Sequence, residues 1–150
     1  MIEEATLTST VGASADECFA AATDVVAYPQ WAADIKSAEI IETGDNGYPT
    51  LVTFRAAAMG RSTTYTLRYD FSQAPSRISW ELHEGDVMSR LDGYYEFATT
   101  DEDAATEVTY HIGVELRFPL PGFVKRRAEG RIIHTALDEF QARVETADGH

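Results

Sequence analysis

Apolar residues along this chain recur mostly at every second position, and only near its end do they switch to steps of three and four. Alternation puts one set of side chains on one face of a β-strand, whereas the three-four spacing draws a stripe down a helix. The clearest alternation runs from Thr106 to Phe118, where Val108, Tyr110, Ile112, Val114 and Leu116 oppose Thr109, His111, Glu115 and Arg117. Thr63 to Phe71 is nearly as regular, with Tyr65, Leu67, Tyr69 and Phe71 against Thr64, Thr66, Arg68 and Asp70. Further strands are predicted over Ile2 to Val11, Ile35 to Thr43, Leu51 to Ala58, Arg77 to Glu84 and Val87 to Thr99. The last two carry Ile78, Trp80 and Leu82, then Leu91, Gly93, Tyr95 and Phe97, on their apolar faces.

The punctuation between these runs agrees with strand pairs. Asn46-Gly47, inside Gly44-Asp45-Asn46-Gly47, accepts the positive φ of a tight hairpin turn, and turns are expected at Met59-Gly60-Arg61, Ala74-Pro75-Ser76 and Glu84-Gly85-Asp86. The acidic stretch Thr100 to Ala105 reads as a solvated loop. After the first strand, Ser14-Ala15-Asp16-Glu17 forms a capping box and predicts a short helix to about Thr23 that turns Cys18, Phe19 and Ala22 inward. Asp24 then caps a second helical turn through Tyr28, which Pro29 is expected to end.

The long helix comes last, from Pro121 to about Thr146. Gly130, Ile133, Leu137, Phe140 and Val144 line one side of it, with Lys125, Arg126, Arg131, Asp138, Glu139 and Arg143 on the other. No second long helix exists to receive that stripe, so the sheet must. Short connections between successive strands imply an antiparallel meander, and the prediction is an α+β fold: a curved seven-stranded antiparallel sheet around a long C-terminal helix, with two short helices after the first strand. No linker or repeat interrupts the order, and one domain over residues 1–150 is expected.

Composition narrows the function classes. At 44% hydrophobic and 11% aromatic residues a sizeable core is available, and no apolar run approaches the ~20 residues of a membrane span. The start, Met1-Ile2-Glu3-Glu4, lacks the basic and apolar regions of a secretory signal, so a cytoplasmic, non-integral protein is expected. A formal charge of -13 disfavours nucleic acid as a partner. The single cysteine, Cys18, reads as a small core residue.

Several stretches carry a resemblance. Ala13-Ser14-Ala15-Asp16-Glu17-Cys18-Phe19 after the first strand, Asp24-Val25-Val26-Ala27-Tyr28-Pro29-Gln30-Trp31, Gly93-Tyr94-Tyr95-Glu96-Phe97 and Phe118-Pro119-Leu120-Pro121-Gly122-Phe123, in this element order, resemble the START-like, or Bet v 1-like (SRPBCC), helix-grip superfamily. Within it they look like the polyketide cyclase/dehydrase and lipid transport group. The resemblance covers nearly the whole chain. It implies a hydrophobic cavity between sheet and C-terminal helix, used in various members for lipids, sterols, quinones or polyketides, and in some for cyclising and dehydrating them. Fold alone does not set which.

The residues themselves offer little reactive chemistry. Of the four histidines, His83 and His111 fall on polar strand faces, His150 is terminal, and His134 lies beside Ile133 at the edge of the stripe. No phosphate loop, nucleophile elbow or metal-ligand spacing is present; no cofactor, metal site or catalytic residue is predicted. Tyr65, Tyr69, Tyr95 and Tyr110 with Phe54 and Trp80 form an aromatic floor, readable either as ordinary packing or as a surface that orients a flat or greasy ligand. Candidate ligand-binding residues are those six with Trp31, Leu91, Phe123, Gly130, Ile133, His134 and Leu137.

Small residues at Ala56, Ala58, Gly93 and Gly130 allow either a cavity or close packing. An empty dry cavity of about 300 Å³ would cost on the order of 7 kcal/mol at ~24 cal/mol per Å³, so a cavity implies an occupant. Lys125-Arg126-Arg127 with Arg131 places cations where the helix dipole disfavours them, which leaves pairing with acidic loops, or an anionic head group or acyl carrier protein at the pocket mouth. The expected function is therefore a carrier or sensor of a hydrophobic or aromatic small molecule. The alternatives are a polyketide aromatase/cyclase or dehydrase acting on a carrier-bound substrate, and a protein-interaction module without a ligand.

Overall fold

A computed structural model describes residues 3–58, 61–100, 105–116, 127, 130, 131, 135 and 138–145. Strand β1 (Glu3–Val11) leads into helix α1 (Ala15–Thr23) and a 3₁₀ turn (Val25–Gln30). Six strands follow: β2 (Ile35–Thr43), β3 (Pro49–Ala58), β4 (Arg61–Asp70), β5 (Arg77–Gly85), β6 (Met88–Thr99) and β7 (Thr106–Leu116). All join one antiparallel seven-stranded sheet in the order β1-β7-β6-β5-β4-β3-β2. The first strand thus closes on the last, Glu3 opposite Val114 and Val11 opposite Thr106.

Local signals explain most boundaries. Ser14 Oγ accepts from the Glu17 amide at 3.1 Å while the Glu17 carboxylate accepts from the Ser14 amide at 3.0 Å, satisfying two orphan donors at the start of α1. Ser14→Ala should lower stability by about 1 kcal/mol, read as a fall in the urea midpoint at unchanged slope. Gly47 sits at φ +87 in the β2–β3 turn, where the Gly44 amide donates to Tyr48 O at 2.8 Å. The following turn differs from expectation: Asp24 makes no side-chain cap, and Pro29 lies inside the 3₁₀ turn rather than ending a helix before it. A 3₁₀ turn this short has few internal bonds to lose, so a missing N–H is tolerated.

The sheet bends where register slips, at Ile35/Ser37, Ile40/Glu42, Thr66/Leu67 and Met88/Arg90. On its inner face lie Phe54, Tyr65, Leu67, Tyr69, Ile78, Trp80, Leu91, Tyr95, Phe97, Tyr110 and Ile112, all buried. Cys18 is buried in the same cluster, and burial pushes its thiol up to about 11, as befits a packing residue.

The C-terminal segment is helical at 127, 130, 131, 135 and 138–145. Phe140 and Val144 from the expected stripe are buried, and the flanks of that turn are pinned by polar contacts. Ser9 Oγ donates to Gln141 at 2.7 Å, and the Gly12 and Ala33 amides donate to Glu145 and Glu139, each at 2.9 Å. Here helix and sheet close tightly. At Gly130 no described atom lies within 4 Å of the position a Cβ would take.

Candidate functional site

Aromatic rings line the inner face without a break. Phe54 stacks on Tyr65 at 5.5 Å and on Tyr28 at 5.8 Å, and Tyr28 meets Trp31 edge-on at 4.9 Å. Trp31 reaches Phe140 at 6.1 Å, Phe140 reaches Tyr95 at 5.0 Å, and Tyr95 contacts Tyr110 at 4.9 Å and Trp80 at 5.4 Å. From Trp80 the rings continue through Tyr69, Phe71, Tyr48 and Phe19 back to Phe97 and Phe140. Period-two strands place these rings, since alternate residues on β3 to β7 face the same way.

Polar atoms in this wall are almost all phenol hydroxyls. The Tyr28 hydroxyl donates to the Ala22 carbonyl at the end of α1. Among the described residues, the hydroxyls of Tyr65, Tyr95 and Tyr110 have no hydrogen-bond partner although the residues are buried, Tyr110 to 4% exposure. Burial pushes all five phenols well up from their usual range. Mutual repulsion between the phenolates adds to this for Tyr28, Tyr69 and Tyr110, and the Asp34 carboxylate adds to it for Tyr65. They therefore remain neutral and act as hydrogen-bond donors.

No Lys, Arg or His among the described residues is buried. Arg90 stays on the outer face, bonded to Asp92 at 2.5 Å and Glu4 at 2.8 Å; His111 is there too, at 2.8 Å from Thr6 Oγ1 and stacked on Tyr94. His83 is exposed. Arg131 pairs with Asp34 at 3.0 Å, which gives one member of the basic cluster a local acidic partner; Arg127 is exposed. No group of His, Cys, Asp and Glu that could hold a metal ion occurs among the described residues. A largely open depression of about 360 Å³ adjoins the aromatic wall at Tyr69 and Phe71, rimmed by Asp45, Asn46 and Asp70.

Of the candidate site residues, Phe54, Tyr65, Tyr69, Trp80, Leu91, Tyr95 and Tyr110 come together on the inner face, with Trp31 half-buried beside them. Gly130 has no described atom within 4 Å of a Cβ built on it, and Phe123, Ile133, His134 and Leu137 lie outside the described residues. Gly93 is not a cavity residue: a Cβ there would sit 2.0 Å from the His111 carbonyl oxygen, so its smallness serves backbone approach between β6 and β7. Six aromatic wall residues were missing from the candidates: Phe19, Tyr28, Tyr48, Phe71, Phe97 and Phe140. Phe140 was legible in the stripe, and Tyr28 could have been found from its place in Tyr28-Pro29-Gln30-Trp31, which keeps both rings on one short turn.

Among the described residues no helix is long and apolar enough to cross a membrane. No curated protein matches the sequence. Among solved structures, a START superfamily protein from Mycobacterium smegmatis superposes with a TM-score of 0.85 at 23% identity, over 96% of this chain and 98% of that one. The Zhui aromatase/cyclase from Streptomyces does so at 0.80 with 18% identity, over 97% and 94%, and a Thermus thermophilus protein at 0.79 with 19% identity, over 97% and 99%. What is shared with these is the fold. The sequence profile described as polyketide cyclase / dehydrase and lipid transport matches residues 11–141, and the chain belongs to that family, with the helix-grip fold that START-like and Bet v 1-like proteins share.

Proposed function

We propose that this protein binds a hydrophobic or aromatic small molecule, of lipid, polyketide, quinone or sterol type, between the sheet and the C-terminal helix, as a carrier or sensor. The observation that supports this best is the set of neutral, buried hydroxyls at Tyr65, Tyr95 and Tyr110 without a partner among the described residues. Leaving a buried hydroxyl unsatisfied costs roughly 1–3 kcal/mol, which an acceptor on a ligand would recover. Aromatic rings around the hydroxyls would stack on the ligand body, and the open space at Gly130 would admit it.

Native mass spectrometry of the purified protein, followed by extraction, tests the proposal: the expected result is a hydrophobic adduct lost on denaturation. Repeated failure to find or load any such ligand overturns it. Gly130→Phe should abolish loading while the protein stays folded, because phenylalanine fills the open space and improves helix propensity by up to about 1 kcal/mol. Unchanged loading with an unchanged circular dichroism spectrum would place the ligand elsewhere.

The same hydroxyls favour a second reading, an aromatase/cyclase or dehydrase acting on a substrate delivered by an acyl carrier protein. Phenols held neutral cannot serve as bases, so their part would be to hold carbonyl oxygens of a flexible chain in a reactive fold. Turnover of a carrier-tethered polyketide by the purified protein would distinguish this from carriage.

A further inference from the structure

We infer that the interior selects its ligand by charge, accepting a flat neutral molecule with carbonyl-type oxygens and rejecting a carboxylate of the same size and shape. This rests on the reading that the ligand occupies the interior, and it specifies the ligand's chemistry. Three observations carry it. The first is the supply of donors: Tyr95 and Tyr110, in ring contact at 4.9 Å, and Tyr65 stacked on Phe54 at 5.5 Å, all present hydroxyls with no partner among the described residues. A carbonyl oxygen has two lone pairs and can accept from adjacent phenols, whereas a bare hydrocarbon would leave them unsatisfied.

The second is the absence of a buried Lys, Arg or His among the described residues, so none of these offers a buried countercharge to a carboxylate entering the wall. A buried anion without a paired cation is far more costly than a buried neutral oxygen. Arg131 is already engaged by Asp34 at 3.0 Å, and Arg127 is exposed. The third is the sign of the carboxylates around the wall. Asp34 is close enough to Tyr65 to oppose its ionisation, and Asp45 and Asp70 rim the depression that adjoins Tyr69. Arg131 offsets the charge of Asp34, but Asp45 and Asp70 repel an incoming anion, as does the formal net charge of -13.

The test uses the full chain and three naphthalenes that carry an ethyl, an acetyl or a carboxylate group at the same ring position, titrated at neutral pH against tryptophan fluorescence. The acetyl compound should bind roughly 10-fold more tightly than the ethyl compound, since each neutral hydrogen bond contributes about a factor of 2 to 12. The carboxylate should bind more weakly than either. Tyr65→Phe, Tyr95→Phe and Tyr110→Phe keep the ring and remove the hydroxyl; at least one of them should weaken acetyl binding by roughly 3- to 10-fold and leave ethyl binding unchanged.

Carboxylate binding equal to or tighter than the ketone overturns the charge selection, while binding of the ethyl compound keeps the interior as the site. Equal affinity for ethyl and acetyl compounds, with all three tyrosine variants silent, removes the role of the hydroxyls in the same way. Failure of all three compounds to bind overturns the interior site itself, and this inference with it.

Discussion

Gly93→Ala should unfold the protein or leave it insoluble, the largest effect expected of any single methyl group in the chain. The added Cβ would lie 2.0 Å from the His111 carbonyl oxygen, 3.0 Å from its carbon and 3.1 Å from Ile112 Cα. All three are backbone atoms of β7, so no rotamer change relieves the overlap. The two strands must separate at Gly93 opposite Ile112, in the middle of the pairing on which β1 also depends. Overpacking of side chains alone costs typically 1–3 kcal/mol, and displacing a ladder backbone exceeds that, against a total stability of about 5–15 kcal/mol. Gly113→Ala is the control: its Cβ would meet the Arg90 guanidinium at 2.9 Å, the movable end of a long side chain. Urea denaturation of both variants checks the contrast, and a soluble Gly93→Ala protein with a near-native midpoint would refute the account of that strand pair.

Phe140→Ala should cost about 3–5 kcal/mol and release the C-terminal helix from the sheet. Phe140 is 0% exposed and is the ring through which the helix meets Trp31, Tyr95 and Phe97, at 6.1, 5.0 and 6.3 Å. The polar pins from Ser9, Gly12 and Ala33 flank it and cannot hold the geometry without it, since hydrogen bonds that are exposed or only part-buried compete with water. Chemical denaturation followed by circular dichroism measures the loss, and ligand loading should fall with it. A destabilisation below about 1 kcal/mol would mean that polar contacts seat the helix.

Both variants concern positions whose meaning the sequence left open or undervalued. Glycine at position 93 was compatible with a cavity or with close approach, because a missing side chain leaves the same trace in either case. Phe140 was visible as part of a three-four stripe, yet a stripe says only that one face wants cover. Reading it as part of the aromatic wall required knowing that Trp31 and Tyr95 converge on it. The tyrosines pose the same problem in another form. Alternation along β4, β6 and β7 predicted that Tyr65, Tyr95 and Tyr110 point inward, but hydrogen-bond partners are chosen in space, and local pattern carries no information about them.

What the amino-acid sequence determined by itself is everything that short-range chemistry encodes. The capping box at Ser14 and Glu17, the Asn46-Gly47 turn, and the inward sets on β4 to β7 each follow from steric and hydrogen-bonding rules acting over a few residues. Tertiary structure alone decided the closure of β1 on β7, the backbone contact at Gly93, the tight seat of Phe140, and the lack of partners for the inner hydroxyls among the described residues. These depend on atoms brought together from distant parts of the chain. Their free energies exist only once the sheet has curved around the helix.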